Sequence, residues 1–448
     1  MGRKPHNLEE RRSAIISRMA EPPTRSLVLS FEDARRVVEE QASHAAPRGD
    51  EMLALLQAAG RVLAEPITAD RDIPPFPRAT RDGYAVCAAD LETLPAKVKV
   101  IGEIKAGSLQ LAPALNRGQG YSIMTGAPVP QGADAVVMVE YTSPQADSVE
   151  ITKSAAPGEN IVRQGAEAKH GSLLLDRGTR LNETAIALAA SVGRSRLRVF
   201  VRPRVTVLTT GDEIVDLDRE LGPTQIRNSN TYSLAVQIKK AGGDPVLLPI
   251  APDEPHRLRQ LIEEGLQSDL LIMTGGVSMG RYDLVEQVLS DLKAEFFFTG
   301  AKIQPGGPVV FGQVGSCGVG TPAREGTSAP LSHQDQHRYF FGLPGNPIST
   351  MVTFEIFAKR MIEALGGMSP RPLTFLHARL KSDIRIKTGL TRFLPAILSG
   401  NYEDSHADLV PWQGSGDIAA RALSNCYIVV PPDREHILAG EWIAVMLE

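Results

Sequence analysis

The sequence predicts a multidomain α/β plus β protein that is built around a doubly wound parallel sheet. Between residues 204 and 365, apolar strands alternate with amphipathic helices, which is typical of a parallel sheet covered on both faces. Short apolar runs separated by Gly and Pro turns flank this region on both sides and predict smaller β domains. With 448 residues, of which 42% are hydrophobic, the chain is long enough for several cores.

The N-terminal part of the chain predicts an extension followed by a capped helix. Residues 1–28 are polar and basic and are expected to be flexible. In "SFEDARRVVEEQ", Ser30 is placed to accept hydrogen bonds from first-turn amides. Ala34, Val37 and Val38 follow at the spacing of a buried helical stripe. Ordered structure is therefore expected to begin near Ser30.

Length and changes of pattern along the chain predict three or four domains. From Glu65 to about Ala168, short alternating runs predict a small β-rich domain, and the chain after Gly366 predicts a compact C-terminal β domain. The α/β domain between them has strands "RVTVLTT", "DPVLLPI", "DLLIMTGG" and "YFFGLPG", with helices expected to begin near Thr231, Glu254, Asp283 and Ile348. A Gly-, Ser- and Pro-rich segment over 313–338 predicts a mobile surface loop.

Composition excludes several classes of function. A net charge of −4 provides no broad attraction for nucleic acid or anionic lipid, so an anionic ligand must be held locally. The three cysteines lack the spacing of a zinc site or a disulfide framework, and no long apolar segment predicts a signal peptide or a membrane span. A cytoplasmic protein is expected.

Glycine-containing segments follow the predicted strands of the α/β domain. They are "TTGDEI", "MTGGVSMGRYD" and "GLPGNPIS", with Thr209, Thr210, Thr274 and Ser278 as neutral donors. Glycines let backbone amides approach a ligand, so such loops suit phosphate or another oxyanion. Taken singly, each glycine is explained equally well by a tight turn between strand and helix. Three such loops at one sheet edge favour a nucleotide or oxyanion ligand.

Carboxylates beside these loops would repel a bare anion. Asp212, Glu213 and Asp283 therefore suggest a divalent cation, with Mg²⁺ as the natural candidate. A role in helix capping explains each acid separately just as well. A second cluster lies in the β-rich region, where Asp82 occurs beside arginines and Thr125 precedes a glycine. That cluster is either a site that holds one carboxylate or a solvated ion pair.

The ordered motifs resemble those of the molybdopterin molybdotransferase family, of the MoeA type, which is also similar to the C-terminal part of gephyrin. The motifs that carry the resemblance are "RDGYAV", "IMTGAPVPQGADAVV", "TTGDEI", "NSNTYSL", "TGGVSMGRYD", "PGGPVVFG", "GLPGNPIS" and "QGSGD". The resemblance runs from about Leu29 to the C-terminus. It implies a homodimer with its active cleft between subunits, and a four-part subunit. The implied parts are 29–64 with 169–196 for an elongated dimerisation domain, 65–168 for an inserted β-rich domain, 197–368 for the α/β domain, and 369–448 for a C-terminal β domain.

The resemblance also implies a reaction and a set of residues. Molybdate and adenylylated molybdopterin would react with the help of Mg²⁺ and release AMP, and a molybdopterin adenylyltransferase would be a partner. The implied catalytic residues are Asp82, Thr125, Glu213 and Asp283, of which Glu213 and Asp283 would also bind the metal. The implied ligand-binding residues are Thr210, Gly211, Asp253, Gly275, Gly276, Ser278, Pro344, Gly345, Asn346 and Ser349.

One motif departs from the family pattern. Many relatives have lysine or another cation in the motif that reads "QPGGP" here, where Gln304 and Gly307 stand. Lys302 or Arg392 is expected to compensate. Two other functions remain open at this point: adenylyl transfer to molybdopterin, and a gephyrin-like scaffold without catalysis.

Overall fold

The computed structural model describes residues 27–107, 112–275, 284–315 and 338–447. The predicted extension and almost all of the predicted surface loop therefore lie outside the described residues. The chain divides into two compact units. The larger unit contains residues up to Glu51 and from Phe200 onward, and the smaller unit spans Met52–Val199.

The first helix forms where the sequence predicts it. Strand β1 (Val28–Leu29) precedes helix α1 (Phe31–His44), and strand β2 (Asp50–Ala54) follows. Ser30 is the N-cap, and its side chain accepts a hydrogen bond from the Asp33 amide at 3.1 Å. The prediction of a capped, amphipathic helix is confirmed.

The smaller unit is β-rich. Its main sheet has six strands in the order β8-β5-β7-β6-β10-β9. Its elements are β3 (Ile67–Thr68), β4 (Arg78–Ala79), β5 (Gly83–Val86), β6 (Ala96–Ile104), β7 (Gln119–Ile123), β8 (Ala135–Met138), β9 (Thr142–Pro144), β10 (Ser148–Ile151), β11 (Ile161–Val162), β12 (Leu173–Leu175), helix α2 (Glu183–Ser191) and β13 (Arg196–Phe200).

The larger unit contains the predicted α/β sheet. Its elements are β14 (Arg204–Thr209), β15 (Ile214–Val215), β16 (Ile226–Arg227), α3 (Asn230–Ala241), β17 (Asp244–Leu247), α4 (Pro255–Gly265), β18 (Leu270–Gly275), α5 (Leu284–Asp291), β19 (Glu295–Phe298), β20 (Gly300–Ala301), β21 (Ile303–Gln304), β22 (Val310–Val314), β23 (Arg338–Pro344), α6 (Pro347–Thr353), a π-helix (Phe354–Ala358) and α7 (Lys359–Leu365). The six strands lie in the order β17-β14-β18-β23-β22-β19. Strands β17, β14, β18 and β23 are parallel, so the doubly wound fold is confirmed.

The register of the parallel strands brings their carboxyl ends to one level. Thr209 at the end of β14 lies opposite Thr274 in β18. Gly275, the last residue of β18, lies opposite Pro344 at the end of β23. The strands themselves are apolar and buried on both faces, which fixes this register. The polar ends of three strands are therefore neighbours along one sheet edge.

The C-terminal part of the chain forms a second β layer of the larger unit. Its elements are β24 (Phe375–Leu380), β25 (Ile384–Arg385), β26 (Thr391–Gly400), β27 (Ser405–Leu409), α8 (Ile418–Leu423), β28 (Cys426–Val430), β29 (His436–Ile437) and β30 (Trp442–Leu447). Strand β21 joins this sheet, which has the order β21-β26-β27-β24-β30-β28. The predicted C-terminal β fold is confirmed.

Helix α1 packs with the larger unit, whereas the sequence prediction joined residues 29–64 to 169–196. The reason is aromatic packing: the Phe31 ring lies 5.3 Å from Phe393 and 6.3 Å from Phe357, measured between centroids. An ion pair between Arg48 and the buried Asp269 adds a second link. The remaining domain boundaries stay a prediction. None of the described helices has the length and apolar character needed to cross a membrane.

Candidate functional site

The loop after β14 is joined to the neighbouring strand ends by backbone hydrogen bonds. The Thr210 amide donates to the Thr274 carbonyl at 2.9 Å, and the Gly211 amide donates to the Ala251 carbonyl at 3.3 Å. Thr210 and Ala251 also form an isolated parallel bridge, which extends the sheet by one position beyond β14. The predicted ligand-binding residues Thr210 and Gly211 therefore lie at the sheet edge.

Bare backbone forms the centre of this edge. Gly275 has φ of +115°, and a Cβ atom there would overlap the Thr210 carbonyl oxygen. A Cβ atom on Gly345 would meet the Gly275 Cα at 3.4 Å. Two loops thus approach each other through glycines, and side chains would separate them. Such a surface lets a ligand contact backbone groups directly.

Hydroxyl groups hold the strand end at β23. The Thr350 hydroxyl donates to the Pro344 carbonyl at 2.5 Å, and the Thr274 hydroxyl donates to the same carbonyl at 3.2 Å. Of the four predicted residues in this loop, Gly345 and Asn346 are exposed, whereas Pro344 and Ser349 are buried. Gly345 and Asn346 are therefore accessible to a ligand, and Pro344 and Ser349 shape the loop from beneath.

Three acids converge beside the loop after β14. The Asp253 amide donates to Asp212 Oδ1 at 3.2 Å. Burial raises the pKa of Asp253, and the nearby negative charges of Asp212 and Glu213 raise it further. A Cβ atom on Gly211 would lie 2.6 Å from Glu213 Oε2, so the Glu213 carboxylate lies over that glycine. The structure therefore brings Glu213 and Asp253 together.

Three predicted site residues lie outside the described residues: Gly276, Ser278 and Asp283. The predicted metal pair of Glu213 and Asp283 accordingly stays a prediction. Among the residues that the structure describes, no set of three or more His, Cys, Asp or Glu side chains is arranged to hold a metal ion.

Asp82 and Thr125, both in the smaller unit, are in direct contact. The Thr125 amide donates to Asp82 Oδ1 at 2.6 Å. This hydrogen bond, assisted by the Thr125 hydroxyl, holds the pKa of Asp82 below its usual range. Both residues are exposed. Two motifs that are 43 residues apart in sequence therefore form one carboxylate site.

The neighbouring arginines have other partners. Arg78 forms an ion pair with Glu167 at 2.7 Å, and Arg81 donates to the Thr80 carbonyl at 3.1 Å. Backbone and hydroxyl donors lower the pKa of Asp82, and no arginine contributes to that shift. The interpretation of Asp82 as a member of an arginine ion pair is therefore wrong, because the Asp-Gly turn directs its carboxylate toward Thr125.

The predicted compensating cations lie at the junction of β21 and β26. Gln304 is the register partner of Arg392, and the Lys302 carbonyl accepts from the Thr391 amide at 3.0 Å. Lys302 and Gln304 are both exposed and flank the buried Ile303, so their side chains share one face of the strand. Two cationic residues, Lys302 and Arg392, therefore lie beside the glutamine that departs from the family pattern.

The sequence prediction missed the residues that fasten the three loops together. Asn230, at the start of α3, donates from Nδ2 to the Gly345 carbonyl at 2.7 Å and to the Thr274 hydroxyl at 3.1 Å. Its motif "NSNTYSL" contributed to the resemblance but received no role. Three short polar residues just before a helix were the available signal, and ordinary capping explained that signal as well.

Comparison with known protein families matches three models along the chain. The MoeA N-terminal region (domain I and II) matches residues 29–193, a probable molybdopterin binding domain matches 206–364, and the MoeA C-terminal region (domain IV) matches 377–447.

Relatives and solved structures cover most of the chain. A molybdopterin molybdenumtransferase from a Nostoc species is 34% identical over 406 residues, which cover 88% of each chain. One from Staphylococcus aureus is 30% identical and covers 93% of this chain and 94% of the relative. Two crystal structures of the molybdopterin biosynthesis MoeA protein from Pyrococcus horikoshii superpose with TM-scores of 0.66 and 0.72, at 31% and 26% identity. Each covers 94% of this chain, together with 99% and 100% of its own.

The fold and the sheet edge define a class: a multidomain α/β protein with a glycine-lined, acid-flanked edge at the carboxyl ends of its parallel strands. Within that class, the chain belongs to the MoeA family of molybdopterin molybdenumtransferases, as the relatives and the family models together show.

Proposed function

We propose that this protein is a molybdopterin molybdotransferase that inserts molybdate into adenylylated molybdopterin with release of AMP. Relatives that match this chain along most of their length are named molybdopterin molybdenumtransferases. The observation that carries the proposal is the convergence of three strand ends, where Gly275 and Gly345 approach each other without side chains and the acids Glu213 and Asp253 flank the loop after β14. Such an edge suits a ligand with phosphates and a polar ring system.

The chain's own residues bind and orient the ligand in this proposal. Gly345, which is exposed, and Gly275, which is partly exposed, offer backbone groups to the nucleotide-linked pterin, because neither has a side chain. Thr210 and Gly211 are buried, and their amides donate to the Thr274 and Ala251 carbonyls, so they shape the edge from beneath. Asn346 adds an exposed carboxamide. Gly276, Ser278 and Asp283 retain the roles that the family resemblance implies.

The donor set beside Gly211 fits Mg²⁺. Mg²⁺ binds through one or two carboxylates, retains several waters and completes its coordination with phosphate oxygens, so it needs no cluster of three protein ligands. Glu213 with Asp283 would hold it, with Asp253 close by. When bound, the cation would neutralise charge on the bridging phosphates. Glu213 also orients water, and the neighbouring charges that raise the pKa of Asp253 are the charges that a bound cation would offset.

We also assign Asp82 and Thr125 to this reaction. Their family role implies that a second copy of the chain supplies them in a homodimer. The lowered pKa of Asp82 keeps its carboxylate charged at neutral pH, which suits an anchor for a donor group of the ligand. Lys302 and Arg392 are the cations that we assign to molybdate, because they flank Gln304.

The experiment that tests the proposal follows AMP release by the purified full-length protein. The protein is supplied with adenylylated molybdopterin and Mg²⁺, with and without molybdate. AMP that forms only with molybdate supports insertion. Consumption of ATP in the presence of molybdopterin would instead indicate an adenylyltransferase. Neither reaction would leave a gephyrin-like scaffold as the remaining function.

A further inference from the structure

The segment Asn228–Thr231, here called the NSNT segment, links all three strand ends of the sheet edge. The Thr231 hydroxyl shares a 2.7 Å hydrogen bond with the Thr209 hydroxyl at the end of β14. Asn230 donates to Thr274 in β18 and to the Gly345 carbonyl after β23. One helix start therefore contacts three loops that come from distant parts of the sequence.

Asn230 makes a connection that the sheet itself does not provide. The backbone ladder between β18 and β23 ends where Gly275 lies opposite Pro344. Gly345 is the first residue beyond that ladder, and its carbonyl accepts from Asn230 Nδ2 at 2.7 Å. Gly345 and Gly275 approach each other without side chains, and this carboxamide ties the Gly345 backbone to the end of β18 through Thr274.

The burial of Asn230 indicates a role beyond packing. The residue is 8% exposed, and its Oδ1 is buried without a hydrogen-bond partner among the residues that the structure describes. An unsatisfied buried acceptor destabilises a fold, so packing alone does not explain a carboxamide at this position. The carboxamide is therefore explained by the hydrogen bonds that its Nδ2 group donates to Gly345 and Thr274.

We propose that Asn230 is a positioning residue for the ligand, which sets the spacing between the end of β18 and the loop after β23 around the bound nucleotide-linked pterin. This inference rests on the proposed function. Asn230 acts through Gly345 and Thr274 and does not itself take part in the chemistry. Thr231, with Asn228 donating to its hydroxyl at 2.9 Å, fixes the same helix start against β14.

The same helix offers a matched control. Gln237 lies two turns after Asn230 in α3, and its Nε2 donates to the Met351 carbonyl at 3.2 Å. Its Oε1 is likewise buried without a partner in the described part of the chain. Gln237 therefore has the same carboxamide chemistry, but its partner lies in helix α6 and not at a strand end.

The experiment compares Asn230→Asp, Asn230→Ala and Gln237→Ala in the full-length protein. Asn230→Asp keeps the shape of the side chain and loses the amide group that donates to the Gly345 carbonyl and to the Thr274 hydroxyl. The Kd for adenylylated molybdopterin is measured without molybdate, so that no turnover is needed, and thermal unfolding reports stability. Loss of a buried hydrogen bond that aligns two ligand loops should raise the Kd at least about tenfold in both Asn230 variants. Gln237→Ala should lower the Tm and leave the Kd within about twofold.

The outcomes separate the inference from the proposed function. Wild-type protein that fails to bind adenylylated molybdopterin would overturn both. Wild-type binding that Asn230→Asp and Asn230→Ala leave unchanged, with only their Tm lowered as in Gln237→Ala, would overturn the positioning role alone. If Asn230→Ala fails to fold, Asn230→Asp decides, because it retains the size and shape of the native side chain.

Discussion

Two carboxylate sites of this molecule have opposite electrostatic surroundings. Asp253, in the larger unit, lies beside Asp212 and Glu213, and its pKa is raised. Asp82, in the smaller unit, accepts hydrogen bonds from Thr125, and its pKa is lowered. Neighbouring groups therefore shift the pKa of the same residue type in opposite directions at the two sites. Crowded acids suit a cation that neutralises them, whereas a lone acid held by donors suits a permanently charged anchor.

The largest expected effect is at the crowded acids. Glu213→Gln keeps the size of the side chain and removes its charge, so we expect AMP release with molybdate to fall about 100-fold or more. Glu220→Gln, which changes an exposed acid in the same region of the chain, should remain within about twofold of wild type. If both variants retained most of the rate, Glu213 would have no part in the reaction.

The next largest effect is expected when a side chain is added to the glycine backbone at the sheet edge. Gly275→Ala places a methyl group against the Thr210 carbonyl at a φ of +115°, and we expect it to lower the free energy of unfolding by about 3 kcal/mol. Gly171→Ala, at a φ of +80° with open space around it, should cost about 1 kcal/mol. Urea unfolding measures both. Equal losses of stability in the two variants would show that the close approach of Gly275 to Thr210 does not contribute to the cost.

At the lone acid, Thr125→Ala should lower the rate of AMP release about tenfold. The variant keeps the backbone donor to Asp82 and loses the hydroxyl, so the pKa of Asp82 should move up toward its ordinary value. A lowered pKa favours the charged form in the folded state, and that contribution is lost as pH falls through the folded pKa. The acid limb of the pH–rate profile should therefore shift to higher pH. Thr142→Ala, which removes a hydroxyl bonded to the Val139 carbonyl, should leave that limb in place.

The smallest effect concerns pH and Mg²⁺. Because the folded pKa of Asp253 is raised, its proton contributes stability that is lost as pH rises through that pKa. A cation replaces the proton, so Mg²⁺ affinity should fall about twofold between neutral pH and the pKa of Asp253, and further below that pKa. Calorimetric titration measures this, and Asp253→Asn should remove the dependence. A pH-independent affinity would contradict a cation beside these acids.

The sequence was most informative where hydrophobic pattern and chain order determine structure. The alternation of strands and helices over 204–365 predicted the parallel sheet, and parallel order alone placed Thr209 and Thr274 at one edge. The capping of α1 by Ser30 was predicted from residue types four positions or fewer apart. Local patterns of this kind depend on neighbouring residues and need no long-range information.

Local patterns of this kind do not predict long-range contacts. The packing of Phe31 against Phe393 joins residues from opposite ends of the chain, and no local signal assigns α1 to the larger unit. The contact between Thr125 and Asp82 depends on two turns that meet through the fold, so sequence proximity suggested arginine partners instead. Asn230 was missed for the same reason, because its partners Thr274 and Gly345 are distant in sequence.

The central claim is that the acids of the two units serve one reaction, with Asp82 contributed by a second copy of the chain. Subunit complementation tests this directly: the inactive variants Asp82→Ala and Glu213→Ala are mixed, allowed to exchange subunits, and assayed for AMP release with molybdate. If each site combines residues from two copies, half of the dimers gain one intact site, and activity should recover to roughly a quarter of wild type. A mixture that stays as inactive as its components, despite demonstrated subunit exchange, would contradict the account.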